Sequence, residues 1–124
     1  MSLVRVKDLW EICVSLLEKL EVPGDDAAIV ADSIVYAHTR GKHTHGISRM
    51  PIYVRKINEN LLNKRTPIDL IKDTSVISTI DANNGFGQVA AIRAMNLCVE
   101  KAKKFGIGLV GVKDSNNFGT AGFI

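Results

Sequence analysis

The chain has 124 residues, of which 46% are hydrophobic and 23% charged. That is a globular composition, because a disordered chain carries fewer apolar residues and more net charge. Sixteen Lys and Arg against thirteen Asp and Glu leave a net charge of +3, and the basic residues are scattered, so no nucleic-acid or membrane surface is implied. The densest basic stretch, Lys101, Lys103 and Lys104, reads as a solvated helix end where cations oppose the dipole. No apolar run approaches the roughly 18 residues of a membrane span, and the N-terminus lacks a signal-peptide pattern. Cys13 and Cys98 form no C-x-x-C and read as small buried hydrophobes in a reducing compartment, which predicts a cytoplasmic protein.

In chain order, Val6 to Leu20 predicts an amphipathic helix, with Leu9, Ile12, Cys13, Leu16, Leu17 and Leu20 on one stripe. Pro23-Gly24 breaks it. Asp25 is placed to cap a second helix through Val30, Ile34 and Ala37, ending near Gly41. Gly41 to Gly46 is a loop. Ser48 can cap a third helix to about Asn60, with Pro51 tolerated in its first turn. After Pro67 the pattern turns β-branched: Leu70–Lys72 and Val76–Asp81 predict strands paired through Asp73–Ser75. Asn83–Gly87 reads as a turn. Gln88–Lys104 is the longest helix, with Val89, Ile92, Met95, Val99 and Ala102 on one face. Gly106 stops it, Ile107–Val112 is a strand, and Ser115–Gly122 is a glycine-rich turn.

The fold class expected is α+β or α/β: a helical subdomain over residues 1–66, then a β-β-α-β unit over 67–124. Three strands make a thin sheet, and the chain stops at Ile124 where another helix would begin, so it reads as the front portion of a longer protein. The glycines Gly106, Gly108 and Gly111 spell G-x-G-x-x-G, but they follow a helix and lie within a strand. A dinucleotide fingerprint follows a strand and opens a helix, so a helix cap and close packing are the better reading. Asn83–Gly87 does follow a strand and precede a helix, yet it lacks a third glycine and a following Lys and reads as a tight turn. His38, His43 and His45 lack a nearby Cys or a well-placed acid, and no metal site is expected.

His45-Gly46-x-x-Arg49-x-x-x-Tyr53 is more informative. Arg49 and Tyr53 are i,i+4 on one helix face, with His45 in the loop that feeds it. Histidine can exchange a proton near neutral pH and arginine can hold a carboxylate with two hydrogen bonds, which suits a hydroxy or keto acid. On spacing alone, a loop histidine beside a surface arginine explains the same residues.

Arg40-Gly-Lys-His-Thr-His-Gly-Ile-Ser-Arg49, with Pro51 and Tyr53, resembles the R-G-x-x-S/T-H-G-x-x-R-x-P-x-Y signature of the malate/L-lactate dehydrogenase type 2 family, which also includes sulfolactate and ureidoglycolate dehydrogenases. Asp81 to Gln88 is similar to the family's D-x-x-x-G-x-G-Q turn. Gly106–Val112 and Ser115–Gly122 are similar to its strand and its S-x-H-F-G-x-A-G loop. The resemblance spans essentially the whole chain, about the first third of a typical member. It implies a non-Rossmann α/β domain binding NAD or NADP, begun by residues 67–124, and hydride transfer to or from a small 2-hydroxy or 2-keto acid. It also implies a homodimer or higher assembly. By position it assigns His45 as the catalytic acid/base and Arg49 as the carboxylate anchor. Tyr53 and Asn117 become substrate-side residues, and Ser115, Asn116, Gly119 and Gly122 cofactor-side ones. Asn117 stands where members commonly carry histidine, and an amide cannot titrate near neutral pH. Either His45 does the proton work alone, or the chain is a non-catalytic ligand-binding relative or an inactive one.

Overall fold

The computed structural model describes residues 3–124 and has the expected mixed α and β architecture. Helix α1 spans Val6–Lys19 and α2 Gly24–Thr39. Two short 3-10 turns, His43–His45 and Ile47–Arg49, lead into α3, Met50–Asn58. Strand β1 (Asp69–Asp73) pairs antiparallel with β2 (Ile77–Gly85), and β2 pairs parallel with β3 (Leu109–Ser115) across α4 (Gly87–Phe105). The sheet order is β1-β2-β3. A last 3-10 turn covers Ala121–Phe123.

Several boundaries depart from expectation for local reasons. Helix α2 begins at Gly24, and the Ala27 N–H donates to the Pro23 carbonyl at 2.8 Å, so Asp25 lies inside the first turn and makes no cap. Ser48 does not cap α3 either; its Oγ donates to the His43 carbonyl at 2.5 Å and closes the 3-10 turn. The expected turn at Asn83–Gly87 is mostly strand. Asn83 and Asn84 take left-handed φ of 47° and 60° within β2, and the Asn83 amide donates to the Pro67 carbonyl and to Asp69. Asparagine tolerates this conformation because its side chain bonds locally. Strand β3 starts two residues later than expected, at Leu109. Gly106 caps α4 at φ +83°, and a Cβ on Gly108 would overlap the Cys98 carbonyl, so these glycines serve a helix cap and close packing.

The buried faces also differ from the simple stripes. In α1 the core takes Cys13 and Leu17, while Ile12 is 57% exposed. In α4 the buried side is Val89, Ala90 and Ala94, with Met95 and Val99 exposed. Small alanines allow close approach to the sheet, which a search for large apolar residues overlooks. Cys13 is fully buried, and burial pushes its thiol up to about 11.

One apolar cluster joins Cys13, Leu17, Val30, Ile34 and Tyr53 of the helical half to Phe86 and Val89 at the start of α4. Polar links cross the same seam. Arg93 of α4 donates to Asp26 of α2 at 2.7 Å and to the Thr66 carbonyl at 2.9 Å. Asp26 is 2% exposed; desolvation raises its pKa and Arg93 opposes that rise. Lys101 departs from the solvated helix end expected of it. Only 9% of its side chain is exposed, and its ammonium donates to Asp73 and to the Thr74 carbonyl, both at 2.6 Å. It ties α4 to the β1–β2 turn.

Candidate active site

The chain leaves α2 at Gly41 and folds back beneath it. Gly46 makes this possible: a Cβ there would overlap the His38 imidazole. The turn that results presents Lys42, His43, Thr44 and His45 to one side. Across from it lies the far end of the glycine-rich loop, Gly119 to Gly122. Gly119 has φ +85° and packs so closely on Ser33 Oγ that a Cβ would overlap the hydroxyl. Between the two walls is an open cavity of about 660 Å³. His45 is half-buried in its wall, with Nδ1 3.0 Å from the Thr44 hydroxyl.

Arg49 ends the second 3-10 turn. Its guanidinium lies 5.7 Å from the centroid of the Tyr53 ring, within cation–π range. Its Nε is buried without a partner, and the side chain makes no hydrogen bond or ion pair among the described residues. Arg49 is half-buried as a whole residue, its terminal nitrogens are not among the buried atoms, and it is not among the residues that line the His45 cavity. A guanidinium fork fits a carboxylate, as it does a phosphate.

The other site residues read from the sequence divide clearly. Gly119 and Gly122 line the His45 cavity. Ser115 instead faces an apolar groove of about 340 Å³ with Phe118, Val112 and Met95. Asn116 is engaged internally: Lys56 donates to its Oδ1 at 2.9 Å, and its Nδ2 donates to the carbonyls of Asn84 and Gly85. Asn117 is exposed, and its Oδ1 accepts from the Gly119 N–H at 2.9 Å, which shapes the loop. Tyr53 is 2% exposed and sits in the core, its hydroxyl 2.6 Å from Gln88 Nε2 and its ring edge-on to Phe86. Lys42, His43 and Thr44 join the cavity wall although the motif spacing singled out only His45. The G-to-G loop length around them was the available signal.

The first turn of α4 is no open anion site. The backbone carbonyls of Asn116 and Asn117 cover Gly87, so tightly that a Cβ there would overlap them. The His45 cavity is lined by no residue of α4. His38 and His43 stack edge-to-face at 5.1 Å, and no cluster of three or more metal-ligating side chains occurs among the described residues. No helix there is long and apolar enough to cross a membrane.

The sequence profile of malate/L-lactate dehydrogenases matches residues 4–124. The chain is 40% identical to a malate dehydrogenase of Pyrococcus abyssi over 116 residues, covering 94% of this chain and 32% of that protein. It is 36% identical to the L-sulfolactate dehydrogenase of Methanocaldococcus jannaschii, covering 91% of this chain and 33% of that one. The solved malate dehydrogenase of Pyrococcus horikoshii superposes with a TM-score of 0.94 at 40% identity, over 97% of this chain and 34% of that one. The chain thus spans about a third of the length of the relatives it matches. It belongs to the malate/L-lactate dehydrogenase family.

Proposed function

We propose that this chain is the substrate-side portion of an NAD(P)-dependent oxidoreductase acting on a small 2-hydroxy or 2-keto acid. The observation that carries the reading is Arg49, whose Nε is buried without a partner, four residues after a histidine that walls an open cavity. The relatives' names, malate and L-sulfolactate dehydrogenase, supply the substrate class. Residues 1–66 furnish the acid-binding side and residues 67–124 begin the nicotinamide-binding α/β domain. Gly119 and Gly122 leave only the Thr120 and Ala121 side chains on that wall of the cavity, which leaves room for a flat nicotinamide ring. When bound, the nicotinamide supplies or accepts the hydride at the substrate C2.

The protein's own residues do the remaining work. Arg49 pairs the carboxylate and fixes which face of C2 is presented. His45 gives a proton to the carbonyl oxygen during reduction, or takes one from the hydroxyl during oxidation. The Thr44 hydroxyl at Nδ1 orients the imidazole, leaving Nε2 for the substrate oxygen. We place the protein in the cytoplasm as a dimer or larger assembly.

The test is absorbance of NADH and NADPH with a panel of 2-keto acids, using full-length protein. Turnover of at least one acid is expected, and a folded protein that turns over none contradicts the reading. One observation favours a second reading: Asn117, whose amide shapes the loop and holds no transferable proton. A non-catalytic relative would bind a keto acid in calorimetry and leave it unchanged.

A further inference from the structure

Beneath Arg49 lies a small polar assembly in an otherwise apolar core. Gln88, the second residue of α4, is 1% exposed, and its Nε2 donates to the Tyr53 hydroxyl at 2.6 Å. Its Oε1 is buried without a partner. As packing, this is a poor choice. Methionine would fill a similar volume without stranding a carbonyl oxygen, and a stranded polar atom is a destabilising feature. The amide does one thing methionine cannot: it holds the phenol. Either orientation of the amide keeps that contact, because the hydroxyl can accept from Nε2 or donate to Oε1.

The Tyr53 ring is consequently fixed at two points. Phe86 meets it edge-to-face at 5.4 Å and 77°, and Gln88 holds its hydroxyl end. Phe86 is itself pinned, its N–H donating to Thr66 Oγ1 at 3.0 Å. The Arg49 guanidinium lies against this ring, with no other side chain bonded to it among the described residues. Gln88 also borders Gly119, where a Cβ would come within 3.6 Å of its Cγ. Gln88 thus lies between the Tyr53 ring and the loop that lines the far side of the His45 cavity.

We infer that Gln88 is a positioning residue for substrate binding: through the Tyr53 hydroxyl it fixes the aromatic platform that aims Arg49 at the substrate carboxylate. The inference rests on the functional reading above. A long, unpaired arginine has many rotamers, and a fixed ring reduces the ordering needed when the carboxylate arrives. Losing the fixation weakens binding of the acid and leaves the hydride step nearly intact.

The experiment compares full-length wild type with Gln88→Met, Gln88→Glu, Tyr53→Phe and the Gln88→Met/Tyr53→Phe double variant. It measures KM and kcat for the 2-keto acid that turns over best, calorimetric affinity for the same acid, and Tm. Gln88→Met is expected to raise KM about tenfold with kcat held within about twofold, the pattern of lost uniform binding. Gln88→Glu, still able to bond the phenol, is expected to restore most of the affinity. Tyr53→Phe is expected to match Gln88→Met, and the double variant to be no worse than either single one, since both break the same contact. A folded Gln88→Met protein with unchanged KM overturns the inference, as does a double variant whose effects multiply. If Gln88→Met does not fold, Tyr53→Phe against Gln88→Glu decides the same point. A wild type that neither reduces nor binds any of the acids overturns the functional reading instead.

Discussion

At the level of single residues, charge and burial decide what each group can do. Asp26 and Arg93 make the clearest case. Desolvation raises the Asp26 pKa, and Arg93 is what makes the charge tolerable there. Removing the arginine strands a buried carboxylate, whereas removing the charge does not. Arg93→Met is therefore predicted to cost about 3 kcal/mol in denaturant unfolding at neutral pH, and Asp26→Asn about 1 kcal/mol or less. The sign of the pH effect follows. A raised carboxylate pKa in the folded state means that protonation favours folding, so the Arg93→Met deficit should shrink as pH falls through the raised value. Equal costs for the two variants would contradict this. His45→Ala is predicted to lower kcat/KM of the full-length protein by about a hundredfold or more, and an unchanged value would move the proton chemistry elsewhere.

Among the secondary-structure elements, the sheet and α2–α4 respond to acid in opposite directions. Lys101 holds Asp73 below the usual carboxylate range, assisted by the Ser78 hydroxyl, and Lys113 does the same for Asp81. Hydrogen bonds to Asp81 and Asp114 in turn push the Lys113 pKa up. A depressed carboxylate pKa contributes stability that is complete above the unfolded value, about 3.9, and is lost as pH falls through the folded one. Acidification below about pH 4 is predicted to loosen the β1–β2 hairpin before the helices. Hydrogen exchange resolved by residue checks this: amides of Asp69–Asp73 should lose protection before those of α2, and simultaneous loss would contradict it. Most of these elements were legible in the sequence, since α1, α2 and α4 follow apolar periodicity and the strands follow β-branched runs. The boundaries at Asp25, Ser48 and Asn83 were not. There the deciding contact is a backbone carbonyl or a left-handed asparagine, and composition carries no trace of either. Lys101 was misread for a similar reason: its partners, Asp73 and Thr74, are distant in sequence, so only the fold reveals that it is buried.

For the whole molecule, large apolar side chains reach the surface on α1, on α4 and around β3. Ile12 and Leu16 on α1, Met95 and Val99 on α4, and Ile107, Leu109 and Phe118 around β3 are exposed. Strands β1 and β3 both present open sheet edges. Residues 1–124 alone are predicted to associate and to leave NAD(P)H unoxidised; a clean monomer by light scattering would contradict the first expectation and turnover the second. The candidate site was partly legible. His45 and Arg49 stood out as a spaced pair, and Gly119 and Gly122, expected on the cofactor side, line the cavity that His45 walls. Tyr53, expected beside the substrate, proves to be core, and Gln88 beneath it had no sequence signal beyond its place in the D-x-x-x-G-x-G-Q stretch. On the proposed function, Arg49 holds the substrate carboxylate. Steady-state kinetics of Arg49→Lys in the full-length protein decide this, because lysine keeps the charge and loses the planar fork. The prediction is a KM for the 2-keto acid raised about tenfold or more, with a smaller change in kcat, whereas an unchanged KM would remove Arg49 from the role.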